Sequence, residues 1–364
     1  MILLIINILY FILNLVLIIT WLKMNNSKPV KLSLKDTKLT VIVPVRNEAD
    51  NILKLLQDLN NQDYPYQNFE VIVANDGSTD DTELLVLAFQ DSAKYALKLL
   101  NLLNENELSP KKKAIKKSIE ISSGELLITT DGDCRVSVNW LSSVQQCYKA
   151  SGAKLISSPV TFNSENSFFN TAQIIEFASL IGTGACAMFL KRPNMCNGAN
   201  IAYTRVVFEE VGGFSGNEHL ASGDDEFLMH KIAKLYPERV VFNGDKNAIV
   251  CTKSQPDLTH FYQQRKRWAS KWKHYNDWKV SLLAVFIFAV NLGVIFSYFT
   301  LNFVDLFLKF SAEFVFLSLI ISFLGHFDKI KYIPLIQLFY PFYVVFFGLI
   351  AQGKGYQWKG RELS

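Results

Sequence analysis

The first 22 residues, MILLIINILYFILNLVLIITWL, carry no charged side chain. As a helix, such a run is long enough to cross the roughly 30 Å hydrocarbon core of a bilayer. It has no basic leading flank and no small-residue cleavage site, so a retained anchor is expected rather than a removed signal peptide. The chain turns apolar again near its other end, where VSLLAVFIFAVNLGVIFSYFTL (280–301) reads as a second span. Residues 304–325 carry Asp305, Lys309 and Glu313 towards one end, and residues 332–350 are interrupted by Pro334 and Pro341. The region 280–351 is therefore expected to hold two to three transmembrane or interfacial segments, with a tail at 352–364. Between the apolar ends lies a polar body of roughly 250 residues, a usual size for a domain.

Lys23, Lys28, Lys31, Lys35 and Lys38 follow the first run, and Arg265, Lys266, Arg267, Lys271, Lys273 and Lys279 precede the next. Short basic flanks stay on the cytoplasmic side, which predicts a multi-pass protein of the cell (inner) membrane with a cytoplasmic body. Three full C-terminal crossings would put Lys354, Lys359 and Arg361 on the opposite face, against the same rule, so one weaker segment is expected either to lie in the interface or only to dip into the bilayer. A formal net charge of +4 over 364 residues gives no basic footprint for nucleic acid. The five cysteines, at 134, 147, 186, 196 and 251, show no Cys-x-x-Cys spacing. They are expected to be reduced and to form neither a zinc site nor a disulfide framework.

Within the body, LTVIVPV (39–45), FEVIVAND (69–76), LKLLNL (97–102) and ELLITTD (125–131) are short β-rich apolar runs with the marks of buried strands. Helical patterns alternate with them at Ile52, Leu55, Leu56 and Leu59, in TDDTELLVLAFQ (79–90), in the basic stretch 110–122 and in 139–149. This alternation predicts an α/β fold with a mostly parallel central sheet, whose ligands bind beyond the carboxyl ends of the strands.

Those ends are acidic. Glu48 follows the first run, Asp76 the second, and Asp131 and Asp133 the stretch ITTDGDC. Asp-Gly is ordinary turn chemistry, and the same carboxylates suit Mg²⁺ or Mn²⁺ shared with substrate phosphates. Both readings stand on this stretch alone. Three such ends along one edge would form an acidic crescent in need of a cation, and no glycine-rich dinucleotide or Walker loop is present to hold phosphate instead.

VIVPVRNEADNI, VANDGSTDDT, TTDGDC, NGANIAYTR (197–205), SGDDEFL (222–228) and QQRKRW (263–268), in that order, resemble inverting family 2 glycosyltransferases. The likeness is to their membrane-anchored branch, which includes cellulose and hyaluronan synthases and ceramide glucosyltransferase. The resemblance covers residues 39–270 and implies a GT-A-type, Rossmann-like fold with a nucleotide-sugar half at 39–135 and an acceptor half at 136–270. It implies a nucleoside-diphosphate sugar donor, a lipid or lipid-linked glycan acceptor at the membrane, and Mg²⁺ or Mn²⁺ as cofactor. At the matching positions it implies that Pro44, Asn47, Glu48, Asp76, Lys113 and Asp131 line the donor site, with Lys112 as the alternative lysine. Asp131 and Asp133 would hold the metal and Asp225 would be the general base. Asp224, Gln264, Arg267 and Trp268 would serve the acceptor and the pyrophosphate. Gly132 stands where many relatives carry Ala, and their Gly-Glu-Asp signature is here Gly223-Asp224-Asp225.

Simpler readings accompany each motif. Asp224-Asp225-Glu226 also fits an acidic first helical turn, and QQRKRWASKWK an interfacial basic helix with tryptophans at headgroup level. Asp305, Lys309 and Glu313 fit snorkelling or an interfacial position better than a polar pathway. Glycoside hydrolysis also uses two carboxylates but needs no diphosphate-binding metal. A catalytically silent membrane scaffold is opposed by the intact acids at 76, 131, 133 and 225. A processive polysaccharide synthase needs a channel for the growing chain, so transfer of one or a few sugars is preferred.

Overall fold

The computed structural model describes residues 2–25, 37–102, 109–218, 220, 223–270, 278–350, 356–358 and 361–363. Lys28, Lys31, Lys35, Ser222, Lys271, Lys273, Lys354 and Lys359, named above, lie outside the described residues. The elements run α1 (Ile2–Asn25), β1 (Leu39–Val45), α2 (Ile52–Asn60), β2 (Phe69–Asn75), α3 (Thr82–Gln90), β3 (Ala96–Asn101), α4 (Pro110–Ile121) and β4 (Leu126–Thr129). Then come β5 (Arg135–Val136), α5 (Trp140–Ser151), β6 (Leu155–Ser157), β7 (Val160–Phe162), α6 (Phe168–Phe189), β8 (Ile201–Thr204), α7 (Arg205–Glu210) and α8 (Asp224–Leu235). The last are β9 (Val240–Phe242), β10 (Val250–Thr252), α9 (Leu258–Ser270), α10 (Trp278–Thr300), α11 (Phe303–Phe323), α12 (Ile333–Ile350), β11 (Tyr356–Trp358) and β12 (Arg361–Leu363). Two compact units form, one of residues 27–163 and 187–253, the other of residues 1–26, 164–186 and 254–364.

In the first unit a seven-stranded sheet has the order β3-β2-β1-β4-β8-β6-β9. β1, β2, β3 and β4 are parallel, with Val41 opposite Val71 and Ile128, while β8 runs antiparallel to both β4 and β6. Val- and Ile-rich β1 and β2 are buried almost throughout, as expected for parallel strands covered on both faces. The expected strand 125–131 stops at Thr129, because a turn closed by Cys134 N–H donating to the Asp131 carbonyl (3.1 Å) follows it. One core cluster joins Ile42, Leu127, Leu155 and Tyr203 of the sheet to Ile115 and Ile119 of α4 and to Leu228, Met229 and Ile232 of α8. Because α4 leads from the end of β3 back to the start of β4, its first turn stands at the carboxyl edge of the parallel strands. β8 enters the sheet from that edge, so the loop before it arrives there too.

The second unit is helical. Among the described residues, five helical stretches are long and apolar enough to cross a membrane: Ile2–Asn25, Phe168–Phe189, Ser281–Thr300, Phe303–Phe323 and Phe327–Ile350. α1 lies against α11, with the Trp21 and Phe323 rings edge to face at 5.1 Å. α6 approaches α11 closely at Gly182, where a Cβ would come 2.6 Å from Ile320 Cγ1. Asp305, Lys309 and Glu313 are buried rather than snorkelling. Lys309 Nζ sits 2.6 Å from Glu313 Oε1, one helical turn away, and Gln337 and Tyr10 donate to the same carboxylate. Ser297 and Asn302 donate to Asp305. The i,i+4 spacing lets the Lys–Glu charges meet on one helix face, and pairing of this kind is what makes ionisable groups tolerable between apolar helices.

Candidate active site

Four acidic side chains and one lysine gather at the carboxyl edge of the sheet. Asp131 and Asp133 lie on the turn after β4. Asp224 and Asp225 open α8, entered through Gly223 at φ 81°, a left-handed angle that suits glycine. Lys111, in the first turn of α4, places Nζ 2.8 Å from Asp131 Oδ1 and 3.8 Å from Asp224 Oδ2. Burial alone would lower the affinity of this ammonium for its proton. Asp131, Asp224 and Asp225 outweigh that effect and hold it above the ordinary lysine value, so it stays charged.

The loop before β8 completes the cluster. Gly198 N–H donates to Asp225 Oδ2 at 2.7 Å and Glu226 N–H to Asp225 Oδ1 at 2.8 Å. The Gly198 carbonyl accepts from Thr129 Oγ1 at 3.0 Å. A Cβ on Gly198 would stand 3.3 Å from both Asp224 Oδ2 and Asp225 Oδ2, and 3.4 Å from Lys111 Nζ. Buried Asn200 holds this loop, accepting from Trp140 Nε1 and donating to the Pro159 and Ala248 carbonyls. Asp133 Oδ2 accepts from Thr252 Oγ1 at 3.0 Å, which ties the turn to β10. Burial, with Asp131 and Asp133 nearby, pushes the Cys134 thiol up, so it remains protonated and inert.

The remaining donor-side residues line the ends of β1 and β2. Pro44 lies within β1 opposite Ala74. Asn47 has φ 53°; its N–H donates to Ser78 Oγ and its Oδ1 accepts from Thr79 N–H, joining the two loops. Glu48 donates its N–H to Thr82 Oγ1 and accepts from Asn51. Asp76 N–H donates to the Val45 carbonyl, and Arg46 Nη1 donates to the Asp76 carbonyl at 2.6 Å while lying 3.8 Å from its Oδ2.

The lysine run resolves by helix phase. Lys112 is buried and donates to the Asn217 and Leu220 carbonyls. Lys113, half-buried on α4, gives its N–H to the Ser109 carbonyl. Lys111, passed over in the sequence reading, is the lysine that meets Asp131. The signal was available: Pro110 at the first helical position marks the helix start and puts Lys111 in the turn nearest the strand ends. Gly198 and Thr252 carry no such local signal, because their roles depend on loops far away in sequence.

Gln264, Arg267 and Trp268 lie on α9, in the helical unit. Gln264 Oε1 accepts from Arg265 Nη1. The Arg265 guanidinium lies over the Trp268 ring at 4.3 Å, and the Phe177 ring lies 5.8 Å from it. The apolar face expected of Trp268 is thus already packed against protein. Arg267 is half-buried.

Comparison with known proteins bears on the family and the fold. Residues 40–212 match the family described as Glycosyl transferase family 2. Glycosyltransferase AglE of Haloferax volcanii is 31% identical over 187 residues, 51% of this chain and 58% of that protein. The GalNAc(5)-diNAcBac-PP-undecaprenol beta-1,3-glucosyltransferase of Campylobacter jejuni is 31% identical over 112 residues, 30% of this chain and 34% of that protein. The chain thus spans less than two thirds of either relative. Mannosyltransferase PcManGT of Pyrobaculum calidifontis, solved with GDP-Man and Mn²⁺, superposes with a TM-score of 0.59 at 18% identity, covering 93% of this chain and 98% of its own. That likeness speaks for a shared GT-A-like fold. With the sheet, the motifs and the match at 40–212 in agreement, the chain carries a glycosyl transferase family 2 domain.

Proposed function

We propose that the protein transfers a sugar from a nucleoside-diphosphate sugar to a lipid or lipid-linked acceptor at the cytoplasmic face of a membrane, with inversion and with Mg²⁺ or Mn²⁺. The observation that carries this reading is the convergence of Asp131, Asp224 and Asp225 on Lys111 and Gly198 at the strand ends. Among the described residues no group of three or more His, Cys, Asp or Glu side chains is arranged to hold a metal by itself. Two neighbouring carboxylates, Asp131 and Asp133, fit a hard divalent cation that takes its other ligands from substrate phosphates and water. When bound there, the cation would supply Lewis-acid neutralisation of the leaving diphosphate.

The chain's own groups take the other tasks. Lys111 adds fixed positive charge beside Asp131. Asp225, whose carboxylate is oriented by the N–H groups of Gly198 and Glu226, takes the proton of the acceptor hydroxyl. That oxygen bonds to the anomeric carbon as the carbon–phosphate oxygen bond breaks and the nucleoside diphosphate leaves. One displacement inverts the centre. A positioned base of this kind contributes about 10² to 10⁴-fold.

The membrane side rests on the apolar helices and basic flanks. α6 is not a crossing in this reading. β7 before it and β8 after it belong to one unit, where Ser158 N–H donates to the Asn200 carbonyl at 2.9 Å. A crossing would need irregular backbone to return through lipid, and that backbone has no partners there. The lipid acceptor is favoured by the Campylobacter relative, whose name specifies an undecaprenol-linked acceptor.

The test is a donor screen on the full chain in native lipid, with GDP-mannose, UDP-glucose and UDP-N-acetylglucosamine and products identified by mass. Sugar-bearing lipid that disappears with chelator supports the reading. Metal-independent release of free sugar alone would refute it.

A further inference from the structure

The helical unit contains a buried ion pair that the reaction scheme above does not use. Arg265 is 3% exposed and Glu176 8%. The guanidinium grips the carboxylate with two prongs, Nε to Oε1 at 3.2 Å and Nη2 to Oε2 at 2.6 Å, and Tyr343 OH donates to Oε1 at 2.9 Å. The guanidinium carbon also lies over two rings, 4.3 Å from the centres of both Phe261 and Trp268. Its remaining Nη1 donates to Gln264 Oε1. One side chain of α9 is thus joined to α6 through Glu176 and, by way of that carboxylate, to Tyr343 of α12.

Helix geometry explains why these residues meet. Phe261, Gln264, Arg265 and Trp268 are spaced i, i+3, i+4 and i+7, so they share one face. Arg267 lies about 200° round the helix from Arg265. Arg265 itself is therefore spent on packing, and Arg267 points another way. A lysine at 265 would keep the charge but lose both the fork and the guanidinium over the rings.

We propose that Arg265 is a positioning residue for acceptor transfer. Held by Glu176 and Tyr343, it fixes the rotation of α9 and the orientation of the Gln264 carboxamide and the Trp268 indole. This deepens the proposed transfer, and it rests on that reading and on the acceptor and pyrophosphate role that the family resemblance implies for Gln264 and Trp268. The pair acts without touching the reacting atoms, through geometry alone, and misplacements of about 1 Å in such supports cost roughly 10²-fold in rate.

The experiment compares wild type, Arg265→Lys, Glu176→Gln, Tyr343→Phe and the Arg265→Lys/Glu176→Gln pair, each as the full chain in lipid nanodiscs. GDP-mannose, UDP-glucose and UDP-N-acetylglucosamine are the donors and native-membrane lipid extract supplies acceptors. Three quantities are read: transfer to lipid, hydrolysis of donor to free sugar, and Mn²⁺-dependent binding of GDP and UDP. Arg265→Lys and Glu176→Gln should lower acceptor kcat/KM by about tenfold to a hundredfold. Nucleotide binding and hydrolysis should stay near wild type, Tyr343→Phe should cost less, and the double variant should be no worse than the poorer single one. A merely structural pair would lower hydrolysis, binding and transfer together, and that result would overturn the proposal. So would wild-type transfer in Arg265→Lys. A wild type that binds Mn²⁺–nucleotide yet transfers from none of the donors would overturn the underlying reading, and this inference with it.

Discussion

Lys111 Nζ stands 2.8 Å from Asp131 Oδ1, joining the first turn of α4 to the turn that ends β4. The same ammonium lies 3.8 Å from Asp224, so one cation stands between the acid expected to share a metal and the acids that open α8. Lys111→Ala should leave stability nearly unchanged, because the pair is partly exposed and such pairs are worth about 0–1 kcal/mol. Its effect should fall on donor binding. A charged hydrogen bond from Lys111 to the donor diphosphate would be worth about 1.5–3 kcal/mol, so its loss should weaken Mn²⁺-dependent UDP or GDP binding by about tenfold to a hundredfold, measurable by calorimetry.

Asp133→Asn keeps the shape and the contact with Thr252 while removing a charge. Metal-dependent nucleotide binding should be lost with the fold intact. Unchanged Mn²⁺-dependent affinity in a folded variant would make the segment a plain turn.

Asp225→Asn should bind nucleotide and metal almost normally while transfer falls by at least about 10²-fold. Asp224→Asn and Glu226→Gln should cost less, since only Asp225 is aimed by the Gly198 N–H. Single-turnover rates at saturating donor separate the three. Near-normal transfer in Asp225→Asn would move the base to a neighbour.

Gly132→Ala looks conservative, yet a Cβ there would stand 2.8 Å from Val45 Cγ1 and 3.1 Å from Glu48 Cγ. The β-branched valine cannot easily turn away. Overpacking of this kind costs about 1–3 kcal/mol, so thermal unfolding should shift down. An unshifted transition would mean that β1 yields freely.

Probes placed between Lys23 and Lys279 should resist membrane-impermeant labelling in intact cells, because both flanks are basic. Efficient labelling from outside would reverse the orientation.

Local sequence alone determined the order of strands and helices in the nucleotide-sugar half. Val- and Ile-rich runs such as 39–45 and 69–75 are stiff, apolar and closed by turn residues, and their meaning does not depend on distant contacts. It also determined that acids would stand at the strand ends, since a parallel sheet puts all those ends on one edge. The tertiary structure decided which groups meet there. Lys111 rather than Lys112 reaches Asp131 because α4 packs with Ile115 and Ile119 inward, which fixes its rotation. Gly198 reaches Asp225 because β8 enters the sheet antiparallel, a pairing that its own residues do not encode locally. Lys309 and Glu313 looked like end-of-helix charges, yet they are buried partners once α1 and α12 close around them. Arg265 shows the same limit: read along the chain it is one basic residue among several, and only α6 and α12 supply the carboxylate and the phenol that bury it.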